Sequence, residues 1–260
     1  MANNSMRRVI GFILQRLWFP VLIIFIWQLI QNKLDNPFFP PPSKIWESVQ
    51  YVVTQEWVRN SLTSSLITLL GGYLSGSILG IFVGAILGSN AIMRGVFLPI
   101  TNFIRCIPSV AKAPVILALL GIGLSTRIVT VAVAVFFPVL LVTLRAIANT
   151  DERLVEYSKL LGFNYWRALF QVRIPAATGE ILTGLQAALQ LATLVMVVSE
   201  MIGSGTGLGA FVMRSQSTFM IADMWLGILI LGVLGVLLQG AFHLIERRVF
   251  PWYFASQGMK

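Results

Sequence analysis

Apolar residues in this chain gather into long blocks separated by short polar intervals, and the blocks are long enough to cross a bilayer. A spanning helix needs roughly 20 mainly apolar residues. Residues 10–31 form the first such block, with Arg16 near its start. Residues 62–88 form the second, 127–147 the fourth, with Pro138 inside, 177–202 the fifth and 222–245 the sixth. The third, 96–122, is interrupted by Pro99, Pro108 and Pro114 and holds Arg105 and Lys112. The pattern predicts an all-α, polytopic membrane protein with about six transmembrane helices.

The polar intervals carry their own structure. PFFPPPS (37–43) cannot continue a helix, because proline lacks the N–H and restricts the residue before it. Ser43 is then placed to cap an amphipathic surface helix with Trp46, Val49, Val53 and Trp57 on one face. Within the second block, Gly72, Gly76, Gly80, Gly84 and Gly88 recur every four residues. Such a stripe lets another helix backbone approach closely, and packing inside one subunit is favoured over a dimer contact. GSGTGLG (203–209) marks the turn between the last two spans. The chain divides at 1–61 (first helix and external amphipathic segment), 62–248 (core) and 249–260 (tail).

Residues 151–175, DERLVEYSKLLGFNYWRALFQVRIP, are the longest polar interval in the second half. Apolar Leu154, Tyr157, Leu161, Trp166, Leu169 and Phe170 recur at helical spacing, with a break at Gly162-Phe163-Asn164. The spacing predicts a short helix, a glycine turn and a second short helix outside the bilayer. Gly162 permits the sharp turn, having no Cβ to clash at positive φ. Leu160, Leu161, Phe163 and Trp166 supply apolar anchors, and Glu156 is placed to cap a helix or pair with a partner's cation. This is the pattern of a docking element.

Composition agrees with the membrane assignment: 57% of the 260 residues are hydrophobic and 11% charged, against about a quarter charged in a soluble domain. Mean hydropathy is +0.82. The net charge of +9 comes from cations scattered between apolar blocks rather than in a run, which points to membrane topology and away from nucleic acid. With the N-terminus inside, the inner segments hold 12 of the 19 Lys+Arg, the outer segments 5, and the third span Arg105 and Lys112. That bias places both termini and the 151–175 loop in the cytoplasm. No small-residue cleavage site precedes Gln31, so the first span is read as uncleaved. One cysteine and one histidine exclude an intrachain disulfide and a multi-cysteine or His-rich metal site. The chain lacks GxxxxGK[ST] and HExxH, and so has no phosphate-binding loop or zinc-protease motif.

The 151–175 loop resembles the EAA signature of bacterial ABC-importer membrane subunits. That pattern is Glu-Ala-Ala, three residues, Gly, nine residues, Ile, one residue, Leu-Pro. Glu156, Gly162, Val172 and Ile174-Pro175 stand at its positions, and Tyr157 and Ser158 replace the alanines. PPPSKIW (40–46), IPSVAKAPVILALLGIG (107–123) and the run from Pro175 through Gly209 are similar to the nitrate/sulfonate/taurine branch of these permeases. The resemblance implies a type I importer permease fold with a cytoplasmic coupling helix in the bacterial inner membrane. It also implies a homodimer, a cytoplasmic ABC ATPase dimer that holds ATP and Mg, and an external solute-binding protein. No cofactor is expected on this chain and no catalytic or metal-binding residue. The coupling residues are then Glu156, Tyr157, Leu160, Leu161, Gly162, Phe163, Trp166 and Pro175.

For the translocation pathway, Arg105 and Lys112 lie seven residues apart and share a face if the helix between them is regular. Ionisable residues in apolar segments tend to face a cavity or pathway. Two cations without an acid favour a small anionic solute of sulfonate, nitrate, bicarbonate or carboxylate type. Gln190 is a further pathway candidate, with interhelical hydrogen bonding as the plainer reading. Glu200, at the end of the fifth span, is placed to gate the outer mouth or to pair with an outer cation such as Arg214. The rival readings are a polytopic membrane enzyme, which calls for clustered acids or histidines at one interface, and a non-transporting scaffold docking through the same loop.

Overall fold

The computed structural model describes residues 2–34, 36–52, 54–203 and 205–251, and among these it contains helices, turns and bends without a strand. Packing divides the chain into two units, Met1–Arg59 with Val212–Leu229, and Asn60–Phe211 with Ile230–Lys260.

The first unit holds α1 (Ala2–Leu34) and α2 (Pro42–Val52). Trp27, Phe39 and Trp225 form an aromatic cluster with centroids 5.0 to 5.5 Å apart, and the Trp225 indole N–H donates to the Phe38 carbonyl at 3.3 Å. The proline run ends where α2 begins. That start is Pro42 rather than a Ser43 cap, because proline suits the first helical position; the Ser43 N–H donates instead to Gln28 Oε1 at 3.1 Å. The buried face of α2 is also rotated by one residue from the expected one. Ile45 and Val52 are buried and Trp46 is 64% exposed. Val53 lies outside the described residues, and Trp57 belongs to α3.

The second unit contains most of the apolar helices. Four helices among the described residues are long and apolar enough to span a membrane: α3 (Glu56–Ser89), α6 (Leu124–Ala148), the run Tyr165–Ile202 that contains most of α9 (Ile174–Gly203), and α11 (Ile221–Val249). A fifth candidate is the pair α4 (Ala91–Cys106) and α5 (Ser109–Leu120), bent by 88° at the Ile107-Pro108 break. In α1 the apolar stretch is Trp18–Leu34.

The glycine stripe decides how α3 packs. A Cβ built on Gly72, Gly76, Gly80, Gly84 or Gly88 would stand 2.5 to 2.9 Å from a carbonyl oxygen of α6, so the backbones touch and the stripe is spent within the subunit. On another side of α6, Gly184 of α9 sits where a Cβ would meet Val142 at 2.7 Å. The Tyr73 hydroxyl donates to the Leu185 carbonyl at 3.0 Å. Helix α6 is thus the centre of the core, with Val131, Val135 and Val139 packed among Leu69, Leu189, Val195 and Met196. One short helix interrupts the expected simple turn after the fifth span: α10 (Leu208–Ser217), before α11.

Candidate coupling loop and outer charge cluster

The loop after α6 is built as the spacing predicts. Asp151 caps α7 (Glu152–Leu160) by accepting the Arg153 N–H at 2.9 Å. The helix ends in two reverse hydrogen bonds, Gly162 N–H to the Lys159 carbonyl and Phe163 N–H to the Ser158 carbonyl, both 3.0 Å. This is a Schellman end, whose following residue must be left-handed, and Gly162 has φ +74°. Asn164 then caps α8 (Tyr165–Ala168), accepting from the Arg167 N–H at 2.8 Å. A π-helical turn, Leu169–Arg173, feeds directly into α9. The Arg173 guanidinium donates to the Ser89 carbonyl at the end of α3 at 3.1 Å, and Ser89 also hydrogen-bonds the Tyr165 hydroxyl.

The anchors expected to dock are exposed. Leu160 is 82% and Leu161 72% accessible, and Tyr157, Trp166 and Phe170 are at least half so. Glu156 and Pro175 are also exposed, and Phe163 is half-buried under the Arg167 guanidinium, 4.3 Å from its ring centroid. Soluble surfaces rarely gather this much apolar area. Beneath α7, Glu152, Glu156, Lys159, Arg94 and Arg173 line a cavity of about 400 Å³.

At the other end of the core lies a buried charge cluster. Glu200, fully buried near the end of α9, has a carboxylate oxygen 3.6 Å from the Arg127 guanidinium of α6. It also accepts the Ser65 hydroxyl at 2.8 and 2.9 Å and the Gly209 N–H at 2.9 Å. Arg127 donates to Ser64 Oγ and the Thr206 carbonyl, both at 3.1 Å, and to Thr206 Oγ1 at 3.3 Å. Leu208 N–H closes onto Ser65 Oγ at 2.9 Å. A Cβ on Gly207, at φ +113°, would stand 2.5 and 2.6 Å from the carboxylate oxygens. The glycines of GSGTGLG therefore admit a carboxylate as well as turning the chain. The cation at Glu200 is Arg127, which sequence topology counts merely as an outer-loop charge. The available signal was an acid and a base at two span edges, and nothing in the sequence pairs them.

Arg105 and Lys112 do not share a helical face, since the α4/α5 bend falls between them. Arg105 is exposed in the last turn of α4. Lys112 is partly buried, its ammonium 5.1 Å from the Phe137 ring centroid, within cation–π range. Gln190 is exposed on α9 and donates to Gln239 Oε1 of α11 at 3.4 Å.

The core is a helical bundle centred on α6, with an exposed helix-turn-helix between two membrane-length helices. Residues 76–251 match the family model for the binding-protein-dependent transport system inner membrane component, and the chain belongs to that family. It is similar to the aliphatic sulfonates transport permease protein SsuC of Bacillus subtilis, 28% identical over 92% of this chain and 87% of that protein. It is equally similar to the taurine transport system permease TauC of Escherichia coli, 28% identical over 90% of this chain and 87% of TauC. Among solved structures, an inward-facing MetNI methionine ABC transporter chain superposes with a TM-score of 0.65 at 22% identity, over 78% of this chain and 98% of that one. That likeness establishes the fold as type I.

The chain is thus a multi-pass inner-membrane permease subunit of a binding-protein-dependent importer. It is a transport subunit, not an enzyme. In such importers ATP is hydrolysed, with Mg, on a separate ATPase subunit, and a binding protein completes the assembly.

Proposed function

We propose that two copies of this chain form the translocation pathway for a small anionic solute of the sulfonate type, delivered by an external binding protein. A cytoplasmic ATPase dimer drives the cycle through the 151–175 loop. The observation that carries this reading is the exposed apolar knob of Leu160, Leu161, Tyr157 and Trp166, held by the Gly162 turn. A knob capped at both helix starts and continuous with α9 transmits a push as a rigid element instead of absorbing it. The named substrates of SsuC and TauC support a sulfonate-type solute.

Residues 62–248 form the transporting core, and both termini are cytoplasmic, as the distribution of Lys and Arg supports. Arg105, Lys112 and Gln190 line the pathway. Glu200 governs the outer end by fixing α9 to α3, α6 and the start of α10. Co-purification from membranes tests the assembly: an ATPase subunit is recovered with the native chain and lost with Gly162→Pro. Recovery of no ATPase with either chain would overturn it.

A further inference from the structure

Between α9 and α11 the second unit has an open cleft of about 840 Å³. Gln186, Gln190 and Thr193 line it from one helix, and Gln239 and His243 from the other. Both helices are spans by length and hydropathy. Hydrocarbon is a poor environment for side-chain amides, because each unpaired N–H or C=O there loses its hydrogen bonds to water. Three glutamines along one cleft therefore call for a polar occupant. The opposite wall is cut back: nothing lies within 4 Å of a Cβ built on Gly232, Gly235 or Gly240. Among the described residues, no Lys, Arg, Asp or Glu lines the cleft.

We propose that this cleft is a solute subsite in which a small oxyanion is held by the side-chain amides of Gln186, Gln190 and Gln239 acting as neutral hydrogen-bond donors. This rests on the importer reading above. Each primary amide has two N–H bonds, and Gln190 uses one on Gln239 at 3.4 Å, so donors remain for the three oxygens of a sulfonate. Thr193 shapes the wall without donating to the anion, because its hydroxyl donates back to the Leu189 carbonyl at 3.0 Å. Among the described lining residues no carboxylate repels the anion, and no Lys or Arg is there to trap it. A pathway site needs that balance, since it must be favourable enough to enter and weak enough to leave.

The test uses the assembled transporter in proteoliposomes, with labelled taurine, ethanesulfonate and nitrate as probes. The double variant Gln190→Leu/Gln239→Leu should raise the KM of uptake about tenfold, the effect of losing a few hydrogen bonds. An unchanged KM overturns the proposal. Thiol accessibility decides the matter independently if that variant does not assemble. In a Cys106→Ser background, Gln190→Cys is treated with sulfonatoethyl or trimethylammonioethyl methanethiosulfonate, each rate corrected for the reagent's rate with a free thiol. Faster labelling by the sulfonate reagent, slowed by ethanesulfonate, is the expected result. Absence of labelling, as when a second copy or lipid seals the cleft, or preference for the cationic reagent, overturns it. If the native assembly takes up none of the three probes, the sulfonate-type importer reading fails, while the labelling preference still judges the cleft.

Discussion

Gly84 of α3 lies so close to Leu140 of α6 that a Cβ added to it would stand 2.6 Å from the Leu140 carbonyl oxygen. The same approach recurs one turn at a time along the stripe, so the backbones of α3 and α6 are in contact over its whole length. Helix α6 also leads directly into the 151–175 loop, whose Arg173 guanidinium donates to the Ser89 carbonyl at the end of α3.

Gly84→Val should therefore lower the melting temperature of the detergent-solubilised chain, by an overpacking cost of about 1–3 kcal/mol. Gly95→Ala is the control, because nothing lies within 4 Å of its Cβ, and it should melt at or above the native temperature. Equal melting of the two variants would refute the backbone contact.

Arg127→Met leaves Glu200 buried without its cation, and breaking one side of a buried pair costs about 3–5 kcal/mol. The double variant Arg127→Met/Glu200→Met removes both charges and should recover much of that loss. Thermal melts of the native chain, the two single variants and the double form a cycle that measures the coupling. Additive losses would mean that the 3.6 Å pair carries no interaction energy.

Leu160→Asp/Leu161→Asp changes two exposed side chains, so the isolated permease should melt as the native chain does. Co-purification of the ATPase should nevertheless be lost, because a charge is carried into an apolar contact. Retained ATPase would place the docking surface elsewhere.

At Gly162 the backbone is left-handed and no atom lies within 4 Å of a built Cβ, so the penalty of substitution is conformational. Gly162→Val should reduce ATP-driven uptake more than Gly162→Asn, since asparagine visits this region more readily and the left-handed cost is about 1–2 kcal/mol for other residues. Equal uptake by the two variants would show that the turn is not held in this form in the working transporter.

Lys112→Met should slow uptake of an anionic solute while the ATPase still co-purifies. Its ammonium sits over Phe137, and methionine keeps the packing while removing the charge. Unchanged kinetics would sink the pathway role of Lys112 and leave the neutral cleft as the place where the anion is held.

The sequence alone determined the helical class, the polar helix-turn-helix of 151–175 and the turn at Gly162, because each rests on local rules. Hydropathy sets span length, and a glycine after a helical run marks a left-handed position. The glycine stripe also announced a close helix contact, but its partner, α6, was decided only by three-dimensional packing. The face of α2 shifted from Trp46 to Ile45 and Val52 because burial follows the surroundings, while spacing allows either stripe. Arg105 and Lys112 were separated by an 88° bend; proline signals a break without setting its angle. Arg127 and Glu200, 73 residues apart in sequence, meet through the packing of α6 against α9, and the cleft of Gln186, Gln190 and Gln239 arises from facing helices. Such pairings depend on which helix faces meet, and only tertiary structure supplies that.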